Sequence, residues 1–583
     1  MGKIPLARYM LNRLSQHGCH HLHGVPGDFC LPFLSHIKTS PVNWIGCTNE
    51  LNAGYSADGY ARATGLGALC TTYGVGELGA INAIGGSFAE RVSVVHIVGT
   101  PRTALQKSWS NDGSPSRLVH HMLGEGQDPR VYARMAEFVT IKQCNLDVAE
   151  GPTETFDETL IACLRERRPV YVQLPSDAAD QFVDDAPLKS RLKFRRVKML
   201  DSTFDSANAM LQAKLNRAER PLLMIDGLVR PQGMLVPIND FISKTGIPTV
   251  CLPSGLGTVS SEHRSYCGVY AGATSIQSLQ DCVNSSDLVL LIGPLLSDTN
   301  TAGWSAVPPM EKTVIFHDSS ITIDGQTLSI DGRAMLRRLL KSDIANRMAD
   351  KQYTLPDLRD PVTFQESKED DRITQDRFYP LLSEKYLKPR DTIMLANGTP
   401  LIGANLLSLP QPCTFIASGL WYSVGQMLPA AQGVALARSI LPEDKRGRTI
   451  LLEGDGSFQA TATELSTIIR YKLDMTIFIV NNRGYAYEKW IMGEKDDYNN
   501  VQEWVYEHLP RVFAGVEKRS KAYPIVTRRV TKMKELEELL ADEAFTKGKG
   551  LKLVDVVMDK MDVPDYYKKA LKKSGGKLVS DEV

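Results

Sequence analysis

Two short polar clusters carry the first chemistry legible in the chain. Gly454-Asp455-Gly456-Ser457 closes a short apolar run, and Asn481-Asn482 closes a second run rich in β-branched residues. Between them lies an amphipathic stretch of helix length, so Ile450 to Glu488 reads as strand, helix, parallel strand. In a right-handed crossover both strands end on one edge of the sheet, where open α/β folds bind ligands. Asp455 and Asn482 are therefore expected to converge. One carboxylate with one amide oxygen suits Mg²⁺, which takes its other ligands from phosphate, water and a backbone carbonyl such as that of Gly484. Gly456 lets the backbone approach a phosphate closely, and Ser457 opens a helix whose free N–H groups favour an anion. Either cluster alone is also an ordinary strand end; the pair at crossover spacing predicts a metal-bridged diphosphate.

The rest of the chain must position these groups. Its 583 residues exceed one core, and a prior of about 150 residues per domain predicts three or four domains. Lys plus Arg and Asp plus Glu both number 67, so net charge argues for neither nucleic acid nor an anionic membrane, and a small molecule is the expected partner. Ten scattered cysteines with no CxxC pair argue against a zinc ribbon or disulfide framework and for a reducing compartment. The N-terminal segment is amphipathic without a signal peptide's apolar core, no run approaches a membrane span, and Ser580-Asp581-Glu582-Val583 is not a peroxisomal tripeptide. The expected location is the cytoplasm.

Apolar runs alternate with helical patterns, which predicts an α/β class with three open domains and mostly parallel sheets. Residues 1–185 hold strands such as Val94 to Val98, residues 200–350 hold PLLMIDG and DLVLLIG, and residues 372–561 hold the crossover unit. Charged or Pro-bearing linkers are expected over Asp184 to Ser202 and Lys351 to Asp371, and a lysine-rich arm over 562–583. The first and third segments share a rough plan.

Further candidates lie in the first segment. His20, His21 and His23 lead into a strand and read as packing residues more readily than as a metal cluster. Gly24, Pro26 and Gly27 force a turn that puts Asp28 at a loop tip or makes it a helix cap. Glu50 precedes a helix of small residues, where an acid complements the helix dipole. Gly74-x-Gly76-x-x-Gly79 is the dinucleotide fingerprint taken literally, but the next strand ends in Gly99-Thr100-Pro101 without the required acid, so NAD is rejected. A long polar loop follows and ends in His120-His121, residues able to titrate near neutrality.

The clusters at 454–457 and 481–482 resemble the signature of thiamine diphosphate-dependent enzymes. Over nearly its whole length the chain resembles the pyruvate, indolepyruvate and phenylpyruvate decarboxylase family. The resemblance implies pyrimidine-binding, middle and diphosphate-binding domains, the cofactors thiamine diphosphate and Mg²⁺, and non-oxidative decarboxylation of a 2-oxo acid to an aldehyde and CO2. It makes Glu50 the carboxyl that hydrogen-bonds the pyrimidine nitrogen N1′ and drives its imino tautomer, a task helped by shielding from water. Asp28, His120, His121 and Glu488 become the proton-handling groups, although an acid at the start of a helix, as at Glu488, can also be merely exposed.

By the same resemblance Gly398, Thr399, Tyr422 and the apolar wedge Val424 hold and bend the cofactor, with Tyr485, Ala486 and Tyr487 beyond the metal ligands. Thr299 stands where a bulky aromatic is usual and Tyr487 where a smaller residue is common; with Ile491 they would shape the substrate pocket, Thr299 favouring a bulky or aromatic acid. Tyr422 replaces a common Gly. Glu50 and the metal site would come from different subunits, giving a homodimer at minimum and a homotetramer by extension. A carboligase forming acyloins is the alternative activity.

Overall fold

The computed structural model describes residues 2–107, 118–125, 127–147, 151–194, 201–357, 368, 371–493, 495–514 and 523–573. The loop expected before His120 falls largely outside them, as do 195–200 and 358–367 of the expected linkers and 574–583 of the arm.

Among the described residues, twenty-one strands build three large sheets and one antiparallel pair. The first stretch contributes β1 (Lys3–Pro5), β2 (His21–Gly24), β3 (Asn43–Gly46), β4 (Gly67–Thr72), β5 (Val94–Thr100), β6 (Lys142–Asn145), β7 (Val170–Pro175) and β8 (Phe182–Asp184). β1 pairs with β8, and the others form a parallel sheet in the order β3-β2-β4-β5-β7-β6. The second stretch contributes β9 (Pro221–Ile225), β10 (Thr249–Cys251), β11 (Tyr266–Val269), β12 (Leu288–Ile292), β13 (Thr313–Phe316), β14 (Ile321–Ile323) and β15 (Gln326–Leu328). Their order is β11-β10-β9-β12-β13-β14-β15, parallel except for the last two pairings.

The third stretch supplies β16 (Thr392–Leu395), β17 (Thr414–Ala417), β18 (Thr449–Gly454), β19 (Met475–Asn481), β20 (Ile525–Val530) and β21 (Leu551–Val557), all parallel in the order β17-β16-β18-β19-β21-β20. Strand for strand, this is the order of the first sheet. The expected α/β class with three mostly parallel sheets is what the chain adopts. Parallel strands covered on both faces must be apolar throughout, and β4, β5 and β19 have every residue buried.

The helix after β3 (Glu50–Thr64) packs on the helix that follows β17 (Met427–Ser439), so corresponding helices of the first and third sheets face each other. Small residues make the approach possible. A methyl group on Gly59 would strike the Ala430 carbonyl, and one on Gly433 would strike that of Ser56. One core accordingly runs through both sheets, from Leu6 and Tyr60 to Ala430 and Ile477. Gly433→Val should lower the urea midpoint of the full chain by the equivalent of about 1–3 kcal/mol through overpacking. An unchanged midpoint would mean that the helices tolerate separation.

Candidate active site

In the third sheet, β18 and β19 pair in register from Thr449↔Met475 to Gly454↔Val480, so Asp455 and Asn482 leave adjacent strands at the same edge. Strand order reverses between β16 and β18, which puts Gly398 and Asp455 on either side of a topological switch point. Asp455 is 2% exposed, accepting from Gly456 N–H at 2.7 Å and from Gly484 N–H at 3.0 Å. Burial pushes its carboxyl up to about 6, although these N–H groups and the nearby Lys489 pull it down. Asn482 is equally buried, and its amide has no partner among the described residues. Asn481 points away, donating to Asp555 Oδ1 at 2.9 Å. A buried carboxylate and an unspent amide at adjacent strand ends are the donor chemistry a hard cation requires, so these residues fit Mg²⁺.

The surrounding backbone is shaped by glycines. Gly484 has φ 137°, and a methyl there would strike the Asn499 carbonyl. A Cβ on Gly456 would stand 2.7 Å from the Tyr485 ring. Ser457 Oγ accepts from Gly425 N–H at 2.9 Å, and Thr461 Oγ1 donates to the Gly425 carbonyl at 2.8 Å, tying the 419–425 loop to this turn. Tyr422 has φ 56°, the left-handed region that suits glycine, and its hydroxyl accepts from Gly398 N–H at 3.1 Å. The Tyr therefore keeps a glycine-like backbone and adds a bond that glycine lacks. Thr399 is buried at the start of its helix, Ala486 is buried too, and Val424 is 48% exposed.

Glu90 is a residue the sequence reading missed. Its Oε1 accepts from Ser418 Oγ at 2.7 Å and from Leu420 and Trp421 N–H at 3.0 Å each. Trp421 lies over Gly85 and Gly86 and donates to Asn82 Oδ1 at 3.0 Å. No local pattern around Glu90 signals a partner more than three hundred positions away.

In the first sheet, Asp28 opens a short turn after β2 with Gly27 at the capping position, so Asp28 is not itself the cap. Its Oδ2 lies 2.8 Å from His120 Nε2. His120 stacks on Phe29 with ring centres 4.8 Å apart, and the His121 ring stands edge-on at 4.6 Å from that of His120. Ligand atoms of Asp28, His120 and His121 all fall within 4.8 Å of one another. Adjacent residues on a regular element could not do this; His121 has φ 72°, which turns both rings toward one point. Tyr132 donates to the His121 carbonyl at 2.5 Å, and Gly74 leaves the space that this carbonyl occupies.

Glu50 begins its helix behind Asn49, whose side chain accepts from Asn52 N–H at 2.8 Å. A Cβ on Gly76 or Gly79 would stand 3.3 or 3.4 Å from the Glu50 side chain, so the glycine pattern makes room beside that acid. Its carboxyl has no hydrogen-bond partner among the described residues. His21 and His23 pack edge-on against Tyr60 and are buried, with burial pushing the His21 imidazole down to about 4 and that of His23 to about 3.

A narrow cavity of about 110 Å³ lies among Thr299, Tyr422, Tyr487, Tyr566 and Tyr567. Thr299 borders this cavity with its hydroxyl donating to the Gly419 carbonyl at 2.9 Å, and the tyrosines line the space with it. Ile491 is not among the lining residues. Tyr566 and Tyr567 come from the helix Asp565–Lys573, inside the stretch expected only as an arm. Tyr566 donates to the Ile402 carbonyl at 2.5 Å, and Tyr567 stacks on Tyr487 with ring centres 5.8 Å apart. Glu488 sits in the first turn of the helix Ala486–Met492, its carboxyl raised by burial. Among the described residues, no hydrogen bond or ion pair joins Glu50 or the Asp28–His120–His121 group to Asp455, Asn482 or Glu488.

Three family models match in chain order: the N-terminal thiamine pyrophosphate-binding domain over residues 4–127, the central domain of those enzymes over 209–337, and the C-terminal thiamine pyrophosphate-binding domain over 398–556. A pyruvate decarboxylase of Aspergillus parasiticus is 37% identical over 573 residues, covering 96% of each chain. One of Aspergillus fumigatus is 35% identical, covering 97% of this chain and 96% of its own. Pyruvate decarboxylase isozyme 2 of Saccharomyces cerevisiae is 32% identical, covering 97% of each. With the ends of β18 and β19, the Glu50 turn and the Asp28–histidine group all in place, the chain belongs to the thiamine pyrophosphate enzymes, in their 2-oxo acid decarboxylase branch.

Proposed function

We propose that the protein removes CO2 from a 2-oxo acid whose side chain is larger than methyl, using thiamine diphosphate and Mg²⁺, and releases the aldehyde. What supports the cofactor half most is the buried Asp455 carboxylate, tied to Gly484 at the sheet edge where Asn482, with its amide unspent, also leaves its strand. Thiamine diphosphate, when bound, supplies the sink for the electron pair left as CO2 departs. Asp455, Asn482 and the Gly484 carbonyl would hold Mg²⁺ and with it the diphosphate, next to Gly456 and Ser457. Gly398, Thr399, Tyr422 and Val424 would seat the rest, flanked by Tyr485, Ala486 and Tyr487.

Glu50 would hold a proton at the pyrimidine nitrogen N1′. Its unpartnered carboxyl supports an arrangement in which a second copy of the chain brings Asp455 opposite, so the active unit is a homodimer at minimum and a homotetramer by extension. The Asp28–His120 pair, His121 and Glu488 would carry the proton that the product needs before release. The segments 1–185, 200–350 and 372–561 would act as pyrimidine, middle and diphosphate domains, with 562–573 closing the pocket. The ten cysteines are all free, which supports a cytoplasmic location. No helix among the described residues is long and apolar enough to cross a membrane.

The Tyr422, Tyr487 and Tyr567 rings give the pocket flat aromatic walls, which support a planar side chain; the names of the relatives favour pyruvate as the second reading. A panel of pyruvate, phenylpyruvate and indolepyruvate, read as kcat/KM, separates the two. An aryl acid is expected to lead by about tenfold or more, the scale set by filling a hydrophobic pocket; a lead for pyruvate reverses the assignment. Adding an aldehyde and identifying products by mass tests the carboligase alternative: acyloin without free aldehyde would replace decarboxylation as the activity.

Glu50→Gln is expected to keep cofactor affinity while slowing C2 proton exchange about 10²–10⁴-fold, the range of a lost general acid–base group; unchanged exchange removes Glu50 from this role. Asp455→Ala should weaken Mg²⁺ and diphosphate binding together, by on the order of 100-fold. Calorimetry with the metal and cofactor checks this, and intact binding overturns the metal assignment.

A further inference from the structure

The turn that follows β4 touches two of the proposed catalytic groups. Gly76 and Gly79 lie beside Glu50, whereas Gly74 lies against His121: a Cβ on Gly74 would stand 2.6 Å from the His121 carbonyl oxygen. Gly74 has φ 63° and ψ −94°, a backbone that glycine alone adopts readily, and it immediately precedes the helix Val75–Ala89. Its N–H donates to Glu77 Oε1 at 2.8 Å. The second carboxyl oxygen of Glu77, Oε2, accepts from the Tyr171 hydroxyl on β7 at 2.5 Å.

A glutamate three places into a helix that reaches back to the N–H ahead of it is half of a capping box, and in most helices that half faces water. Glu77 is instead 4% exposed, and Tyr132 and Tyr171 share its surroundings. Burial pushes its carboxyl up to about 7, with the Tyr171 and Gly74 bonds pulling it back. Capping alone does not require a carboxyl to be placed where burial costs so much. His121, on the far side of Gly74, has φ 72°, and such a backbone persists only where the surroundings over-determine it. Two restraints meet at its carbonyl: the Tyr132 hydroxyl donates to it at 2.5 Å, and the bare Cα of Gly74 receives it. Tyr73 stands edge-on to Tyr132 at 5.0 Å and to Phe29 at 5.9 Å, and Phe29 carries the His120 ring. The carbonyl is therefore held from two sides, and Glu77 fixes the side that Gly74 forms.

We propose that Glu77, acting through Gly74, and Tyr132 are positioning residues for His121, which together lock the left-handed turn that brings the His120 and His121 rings onto Asp28. Without the bond from Gly74 N–H to Glu77, Gly74 is free to leave its conformation and the His121 carbonyl loses its seat. His121 then relaxes toward negative φ, and its ring swings away from His120 and Asp28. The kinetic consequence rests on the reading of His121 as a proton-handling group: a loosened turn slows the proton transfer that precedes aldehyde release and leaves earlier steps alone. Gly76 and Gly79 lie in the body of the helix, so the space they leave for Glu50 does not depend on the Gly74 bond. C2 proton exchange, the task proposed for Glu50, is thus an internal control.

The test uses holoenzyme saturated with thiamine diphosphate and Mg²⁺. Glu77→Leu is expected to slow aldehyde release about 10²-fold, the cost of a misplacement of roughly 1 Å, while C2 proton exchange and the CO2 released in the first turnover keep their wild-type rates. Glu77→Gln, which retains an acceptor for Gly74 N–H, should restore aldehyde release. Loss of all three readouts together would mean a role in folding alone and overturn the proposal, as would wild-type release by Glu77→Leu. Should Glu77→Leu fail to fold, Tyr132→Phe, which deletes one hydroxyl, decides in the same way: slowed release with first-turnover CO2 intact supports the proposal, and wild-type release refutes it. His121→Ala separates this proposal from the reading beneath it. If that variant releases aldehyde at the wild-type rate, His121 handles no proton, and the crystal structure of Glu77→Leu or Tyr132→Phe decides on position alone: His121 displaced from φ 72° upholds the positioning role, and an unmoved His121 ends it.

Discussion

The structure depends first on how closely two helices can approach. Glu50–Thr64 and Met427–Ser439 follow corresponding strands of two sheets with the same strand order, and they meet backbone against backbone because Gly59 and Gly433 have no Cβ. Burial of small residues contributes little area per residue, so the stability of this contact rests on close packing over its length. The first and third sheets are thereby fixed relative to each other within one chain. The helix start that presents Glu50 is also anchored across the interface, since Glu464 Oε2 accepts from Thr48 Oγ1 at 2.8 Å and from Asn52 Nδ2 at 2.9 Å.

From that frame the loops inherit their positions. Each parallel sheet has one point where strand order reverses, and the chain uses both: Asp28 and Gly74 leave the first sheet beside one such point, Gly398 and Asp455 leave the third beside the other. The loops are then locked by bonds that only particular backbones permit. Gly484 reaches Asp455 because no side chain keeps it from Asn499, and His121 joins His120 because its φ is positive. A left-handed residue other than glycine costs about 1–2 kcal/mol, and of the several positions that carry this strain, Tyr422 and His121 belong to the proposed cofactor and proton-transfer groups.

How far the sequence could be read follows from the range of each interaction. The β18–helix–β19 unit is local, and its hydrophobic periods and terminal polar residues name Asp455 and Asn482 directly. The meeting of Asp28 with the histidines could be expected only through family resemblance, since the deciding feature is a backbone angle at His121 that no residue type demands. Tyr567 on Tyr487 and Glu90 under Trp421 were not legible at all. Each joins distant stretches, and an isolated Tyr or Glu gives no periodic or spacing signal. The walls that share the cavity with Thr299 were hidden for the same reason, because Tyr566 and Tyr567 come from a stretch near the other end of the chain.

Three buried acids near the third sheet show how environment separates structural from functional carboxyls. Glu90 meets Arg62 and three hydrogen-bond donors, so its pKa stays below the ordinary glutamate value despite full burial, and nothing further is needed to keep it charged. Glu453, two residues before Asp455, meets no cation, and burial pushes it up to about 8; near neutral pH it is mostly the protonated acid, which costs less than an unpaired buried charge. Asp455 lies between these cases, with two N–H donors at hydrogen-bond distance, no ion pair and a value of about 6. Its charge is neither fully matched by the protein nor suppressed by it. That residual demand for positive charge, at the sheet edge where Asn482 also leaves its strand, sets Asp455 apart from the other two acids and supports the metal role proposed for it.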